Sequence, residues 1–308
     1  MIALLFALLP GCRLVSQPAE DIGDITAPAI TPKNYPRLDG STSTEPLGAL
    51  IACRFLEVPC RWMDWIDGER RLAPDLTDFQ GEFPFPAHNG THQSYVRLIE
   101  GETDLILVAR QPSEDESLQA AMAGVWLDSK PIALDAFVFI ANENNPVDDL
   151  SQEELQDIYT GEITNWGEVG GKHSEIHPYQ RDENSGSQEL MRSLVMKGRK
   201  MIEAPDMILL KMFAPFYAVS DDPLGIGYSV YYYEENMAPR EQVKLLAVDG
   251  VKPDPASIRS RQYPFATEVY AIVRGNQPKG SLAYQLWQWL GSVEGQALVA
   301  ESGYVPLK

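Results

Sequence analysis

Short apolar runs of strand length alternate along this chain with segments of helical period, and that alternation restricts the fold more than any other feature. Leu105 to Ala109, Ala136 to Ala141 and Val269 to Val273 are continuous apolar runs, so they read as strands covered on both faces. Helical periods cover Glu45 to Phe55, Ser94 to Glu100 and Ser281 to Leu290. Strands alternating with helices give an α/β architecture. A further helix is marked at both ends: Ser151 and Glu154 have capping-box spacing, and Gly161 follows Ile158-Tyr159 as a natural stop. No repeat at a period of about 20 to 50 residues is visible, which excludes solenoids and propellers. The 308 residues, 44% of them hydrophobic, suit two lobes of ordinary domain size better than one.

The formal net charge of −19 weighs against nucleic acid and anionic membrane surfaces as partners, because both reward basic patches. A small anion is a different case. Aligned N–H groups in contact with it outweigh surface carboxylates lying beyond a Debye length of about 10 Å. Ile2 to Leu9 form an apolar run of signal-peptide length, shorter than the roughly 20 residues that span a bilayer, and it stops at Pro10-Gly11-Cys12. Residues 1–11 are therefore expected to be a leader. Leu9-Pro10-Gly11-Cys12 resembles the lipobox of bacterial lipoproteins, which implies a lipid on Cys12, attachment to a membrane and an extracytoplasmic location. The alternative is a cleaved secretory leader beside a coincidental cysteine. Cys53 and Cys60 remain as an even pair, either a local disulfide in an oxidising compartment or two small hydrophobes. Residues 12–34, with Pro18, Gly23, Pro28 and Pro32, read as a tether, and the folded part is expected from Tyr35.

Two segments carry chemistry. Asp39-Gly40-Ser41-Thr42-Ser43-Thr44-Glu45-Pro46 is a hydroxyl-rich loop feeding a helix, where unpaired backbone N–H groups, the positive dipole end and side-chain hydroxyls together suit an anion. Read alone, it is equally a plain helix cap. Arg181-Asp182-Glu183-Asn184-Ser185-Gly186-Ser187-Gln188 precedes a second helical run, Glu189 to Met196. Arg181 supplies a fork for an oxyanion, Ser185 and Ser187 supply hydroxyls, and Gly186 permits close backbone approach. An inward Glu183 would repel a fully ionised oxyanion and accept a proton from one that still carries it, favouring phosphate over sulfate. The alternative is a surface pair of Arg181 with Glu183.

Arg181-x-Glu183-x-Ser185-Gly186-Ser187 resembles the R-x-(D/E)-x-S-G-(S/T) signature of the phosphate-binding proteins of Pst-type ABC transporters. Ile158-Tyr159-Thr160-Gly161-Glu162-Ile163-Thr164-Asn165-Trp166, Gly225-Ile226-Gly227-Tyr228 and Asp39-Gly40-Ser41 with Thr44 are similar to further segments of that family. The resemblance implies a type II periplasmic-binding-protein fold, with two α/β lobes joined by a two-segment hinge, 35–134 with 275–308 in one lobe and 135–274 in the other. It implies that Thr44, the Glu45 N–H and Thr91 meet inorganic phosphate from the first lobe, and that Arg181, Glu183, Ser185, Gly186 and Ser187 meet it from the second. Where many relatives place an aspartate, this chain has Val108-Ala109-Arg110-Gln111, so Arg110 is either a second cation for the ligand or a salt bridge between lobes.

The resemblance further implies a monomer that delivers ligand to ABC permease subunits and needs no cofactor. A sensory or scavenging module for another oxyanion or a phosphorylated solute would share every residue named. His88 and His92, like His173 and His177, have the spacing of zinc ligands on a helix. Asn89-Gly90 splits the first pair, and Gly170-Gly171 and Pro178 bracket the second, so loop histidines and no metal are expected. Without a G-x-S-x-G elbow, a Walker loop or an H-E-x-x-H motif, enzymatic hydrolysis is not expected either. Trp62 and Trp65, Phe83 and Phe85, and Tyr231 to Tyr233 read as packing residues rather than a sugar platform.

Overall fold

The computed structural model describes residues 25–65, 68–238 and 242–307; the leader and Cys12 lie outside these residues. Its main sheet runs in the order Leu38–Gly40, Leu105–Val108, Ala266–Arg274, Leu127–Asn142, Gly225–Val230 and His177–Pro178, with Val243–Leu245 also paired to Leu127–Asn142. All three apolar runs read from the sequence are strands of this sheet, and their central residues are buried.

One strand serves both lobes. Leu127–Asn142 is 16 residues long. Its first part, to Ala136, pairs antiparallel with Ala266–Arg274, and its second part, from Phe137, pairs antiparallel with Gly225–Val230. The chain thus passes from one lobe to the other near Asp135–Phe137. Phe137 N donates to Phe265 O (3.0 Å) beside that crossing. Ala266–Arg274 hydrogen-bonds Leu105–Val108 on its other side, so it lies in the first lobe, not in the second as the 135–274 boundary has it.

The C-terminal segment packs against two strands of the main sheet and the loop that carries Ser43. The Trp287 indole donates to Ala271 O (2.9 Å), Leu134 N donates to Val305 O (2.7 Å), and Tyr304 Oη donates to Ser43 O (2.9 Å). The chain also packs earlier than Tyr35, because Ile30 is buried in the main core.

Helix Gln152–Thr160 follows its sequence signals. Ser151 Oγ accepts from Glu154 N, the Glu154 carboxylate accepts from Ser151 N, and Gly161 closes the helix at φ 81°. Helix Glu45–Phe55 carries Cys53 near its end, and strand Cys60–Asp64 begins with its disulfide partner. Closing so short a loop restricts the unfolded chain by about 2.5 kcal/mol in the chain-entropy model. The double substitution Cys53→Ser/Cys60→Ser is expected to lower unfolding stability by roughly 2 kcal/mol, measured by urea titration. Among the described residues no helix is long and apolar enough to cross a membrane, and no group of three or more His, Cys, Asp or Glu is placed to hold a metal.

Candidate functional site: an anion cleft between the lobes

The first wall of the cleft begins where strand Leu38–Gly40 ends. A Cβ on Gly40 would lie 2.5 Å from Leu107 O and 2.6 Å from Thr44 Oγ1, so only glycine allows the loop to turn this closely against the neighbouring strand. Thr42–Thr44 form one 3-10 turn leading into helix Glu45–Phe55. Thr44 N and Glu45 N donate within this turn, to Ser41 O and Thr42 O. The N–H groups of Thr42 and Ser43, at the head of the turn, have no acceptor inside it. Ser41, Thr42 and Ser43 line the cleft.

Asp39 fixes the second loop of this wall. Its carboxylate accepts from Asn89 N (3.0 Å), Asn89 Nδ2 (2.7 Å) and Ser94 Oγ (3.1 Å). Gly90 (φ 86°) then starts helix Thr91–Glu100. Thr91 is buried, lines the cleft and shares a hydrogen bond with Ser41 (Oγ to Oγ1 2.8 Å). Two helix starts therefore converge on one point, each presenting first-turn N–H groups and hydroxyls.

The opposite wall is the Arg181 loop. Arg181 is buried, its Nε donates to Leu209 O (2.9 Å) and its Nη2 to Leu210 O (3.2 Å). Among the described residues, its Nη1 donates to a thioether, Met212 Sδ at 3.4 Å. No carboxylate among the described residues pairs with this guanidinium, and burial lowers its pKa from the usual arginine value. Its backbone is held as well, since Arg181 N donates to Tyr228 Oη (2.9 Å), which is itself bonded to Gln188 Oε1. Ser185 caps helix Gly186–Leu190 by accepting from Gln188 N (3.0 Å). A Cβ on Gly186 would come within 2.4 Å of Thr91 Oγ1, so the lobes touch at this glycine.

Together the walls enclose a cleft of about 720 Å³. Thr91, Arg181, Ser185, Gly186, Ser187 and Glu45 all line it. Three other expectations are corrected. Thr44 is fully buried behind the wall, its hydroxyl 2.7 Å from Leu107 O and 2.9 Å from Ser41 O; it braces the loop, and Glu45 N is likewise spent on Thr42 O. Arg110 does not line the cleft, and among the described residues its salt bridge is to Glu116 rather than to the other lobe. It grips Glu116 with both Nη atoms (2.7 and 2.8 Å) and lies over the Tyr95 ring (5.4 Å), all within the first lobe. Burial pushes the Glu116 carboxyl up, but the Arg110 fork, Ser113 N and His92 outweigh it and the net shift is downward.

Glu183 is the third correction. Its side chain is 85% exposed, is paired with Arg192 (3.0 Å) and does not line the cleft, so it cannot sense a ligand's proton there. Glu183→Gln is expected to change phosphate affinity by less than about twofold, the scale of an exposed ion pair, and to leave discrimination against sulfate unaltered in a competition titration. The histidine pairs also separate. His92 is in the first turn of helix Thr91–Glu100 rather than a loop, bonded to Glu116 (3.0 Å), and His177 is bonded to Asp222 (2.6 Å).

Sequence reasoning missed Arg71, His88, Lys211 and Met212, which line the same cleft. Burial holds the His88 imidazole down at about 4, so it is neutral at neutral pH. None of them belongs to the two hydroxyl-rich segments: Arg71 comes from a hairpin, His88 from the loop before Thr91, and Lys211 and Met212 from another loop.

Two α/β lobes sharing one strand, with anion donors converging from both sides of the cleft, define a two-lobed fold with an interlobe cleft. The family model described as "PBP superfamily domain" matches residues 82–294, and the chain belongs to that superfamily. The phosphate-binding protein PstS of Bacillus subtilis is 28% identical over 181 residues, 57% of this chain and 56% of its own length. The match thus spans little more than half of that relative. Among solved structures, a substrate-binding protein of Clostridium perfringens assigned to phosphate ABC transport, with phosphate bound, superposes with a TM-score of 0.64 at 24% identity, covering 88% of this chain and 99% of that one. An ABC-type phosphate transport receptor from Vibrio cholerae gives 0.63 at 20% identity, with coverage of 88% and 99%. At these identities the two structures establish the fold.

Proposed function

We propose that the chain is the extracytoplasmic solute-binding component of an ABC importer, and that it takes up phosphate in the cleft between its lobes. The observation that carries this reading is the buried Arg181 guanidinium, which forms no salt bridge among the described residues and lines the cleft opposite two helix starts. Burying an unpaired ion costs several kcal/mol, and an anion in the cleft offsets that cost while collecting hydrogen bonds from both lobes. Donors on two lobes reward closure only when the ligand bridges them, so binding and lobe closure are one equilibrium.

The cleft is read as non-catalytic. Ser185 is engaged with Gln188 N and Ser187 with Met212 Sδ (3.7 Å), neither of which is a base that would activate a hydroxyl. Acylation of Cys12, which tethers the protein to a membrane beside its permease, and a monomeric state complete the proposal. With Glu183 outside, proton recognition falls to the carboxylates that do line the cleft, of which Asp182 adjoins Arg181. Equilibrium dialysis with labelled phosphate tests the reading. One saturable site per chain, competed poorly by sulfate, is the expected result; no retained phosphate would refute it.

A further inference from the structure

Met212 stands where the two anion donors of the second lobe meet. Its Sδ is 3.4 Å from Arg181 Nη1 and 3.7 Å from Ser187 Oγ. A thioether is a weak acceptor, so both donors are held in place yet remain available to a better one. The side chain is only partly buried and lines the cleft, within reach of small solutes.

We propose that Met212 is an oxidation site that closes the anion cleft, an inference that rests on the phosphate reading above. A peroxide transfers one oxygen to Sδ: its O–O bond breaks, an S–O bond forms, the sulfur is oxidised by two electrons, and hydrogen peroxide leaves as water. The sulfoxide oxygen is a strong acceptor on the atom that Arg181 and Ser187 already address. Both donors then bond to the protein instead of the ligand. The added oxygen also occupies cleft volume beside the guanidinium. Sulfoxide formation is reversible by a methionine sulfoxide reductase, so the block is a switch rather than a lesion.

The test is titration of the full-length protein with inorganic phosphate before and after mild hydrogen peroxide, with peptide mass spectrometry to score each methionine. Conversion of Met212 is expected to weaken phosphate binding about tenfold to a hundredfold, the worth of one hydrogen bond to a charged group. Reductase treatment should restore it. In Met212→Leu, whatever affinity the variant starts with, peroxide should leave it there. Unchanged affinity with Met212 fully converted, resistance of Met212 to peroxide, or an equal loss in Met212→Leu would each overturn the inference. Failure of the untreated protein to bind phosphate would instead bring down the phosphate reading, and this inference with it.

Discussion

Arg181→Ala is expected to weaken phosphate binding by roughly 30- to 4,000-fold, the equivalent of the 2 to 5 kcal/mol lost when one partner of a buried charge pair is truncated. The guanidinium is fixed before ligand arrives. Nε and Nη2 are spent on Leu209 O and Leu210 O, which aims Nη1 into the cleft beside Met212. Arg181→Lys should fall between wild type and alanine, because an ammonium keeps the charge but cannot serve two carbonyls and an anion together. Phosphate should raise the melting temperature of the wild type and leave that of Arg181→Ala nearly unmoved, since only a ligand that binds the native state stabilises it. Calorimetric titration and thermal melts check both statements, and full affinity in the alanine variant would remove Arg181 from the site.

Asp135→Asn is expected to stabilise the protein above neutral pH by as much as about 4 kcal/mol and to have little effect near pH 4. Asp135 is buried at the strand crossing between the lobes. Burial pushes its carboxyl up to about 7, against the opposing effect of Tyr232 N and Ala136 N, which both donate to Oδ1. Oδ2 has no hydrogen-bond partner among the described residues. The sign follows from the direction of the shift. The native state holds this proton more tightly than the unfolded chain, so the contribution is fully present below the unfolded value near 3.8 and is lost as pH rises through about 7. Urea titrations at pH 5 and pH 8 should show the wild type losing stability across this window relative to Asp135→Asn. Parallel pH profiles would contradict the assignment.

The strands that form the centre of both lobes were legible because burial on two faces demands uninterrupted apolar residues, as in Phe137 to Ala141. The full length of that strand was hidden. Pro131 lies within it, paired with Tyr270 at the register shift between Val269 and Tyr270, where a missing N–H is tolerated. The anion loops were visible as hydroxyl-rich helix starts, but which hydroxyl faces the cleft was not. Thr44 and Ser43 differ by one position around a 3-10 turn, and the Thr44 hydroxyl points inward, donating to Leu107 O and Ser41 O beside Gly40. Arg110 illustrates another limit. Its partner Glu116 is also the capping-box residue of helix Glu114–Met122, and a side chain with two roles leaves no simple spacing signal. Glu183 had the position of a selector, yet Arg192 draws it out to solvent.

The most direct test of phosphate capture between the lobes is a crystal structure of the protein grown with phosphate. A tetrahedral anion is expected within hydrogen-bonding distance of Arg181 Nη1 and Ser187 Oγ on one side and of the Thr42, Ser43 and Thr91 N–H groups on the other. Arg181 still resting on Met212, with the cleft holding only water at saturating phosphate or the anion bound elsewhere on the protein, would contradict it.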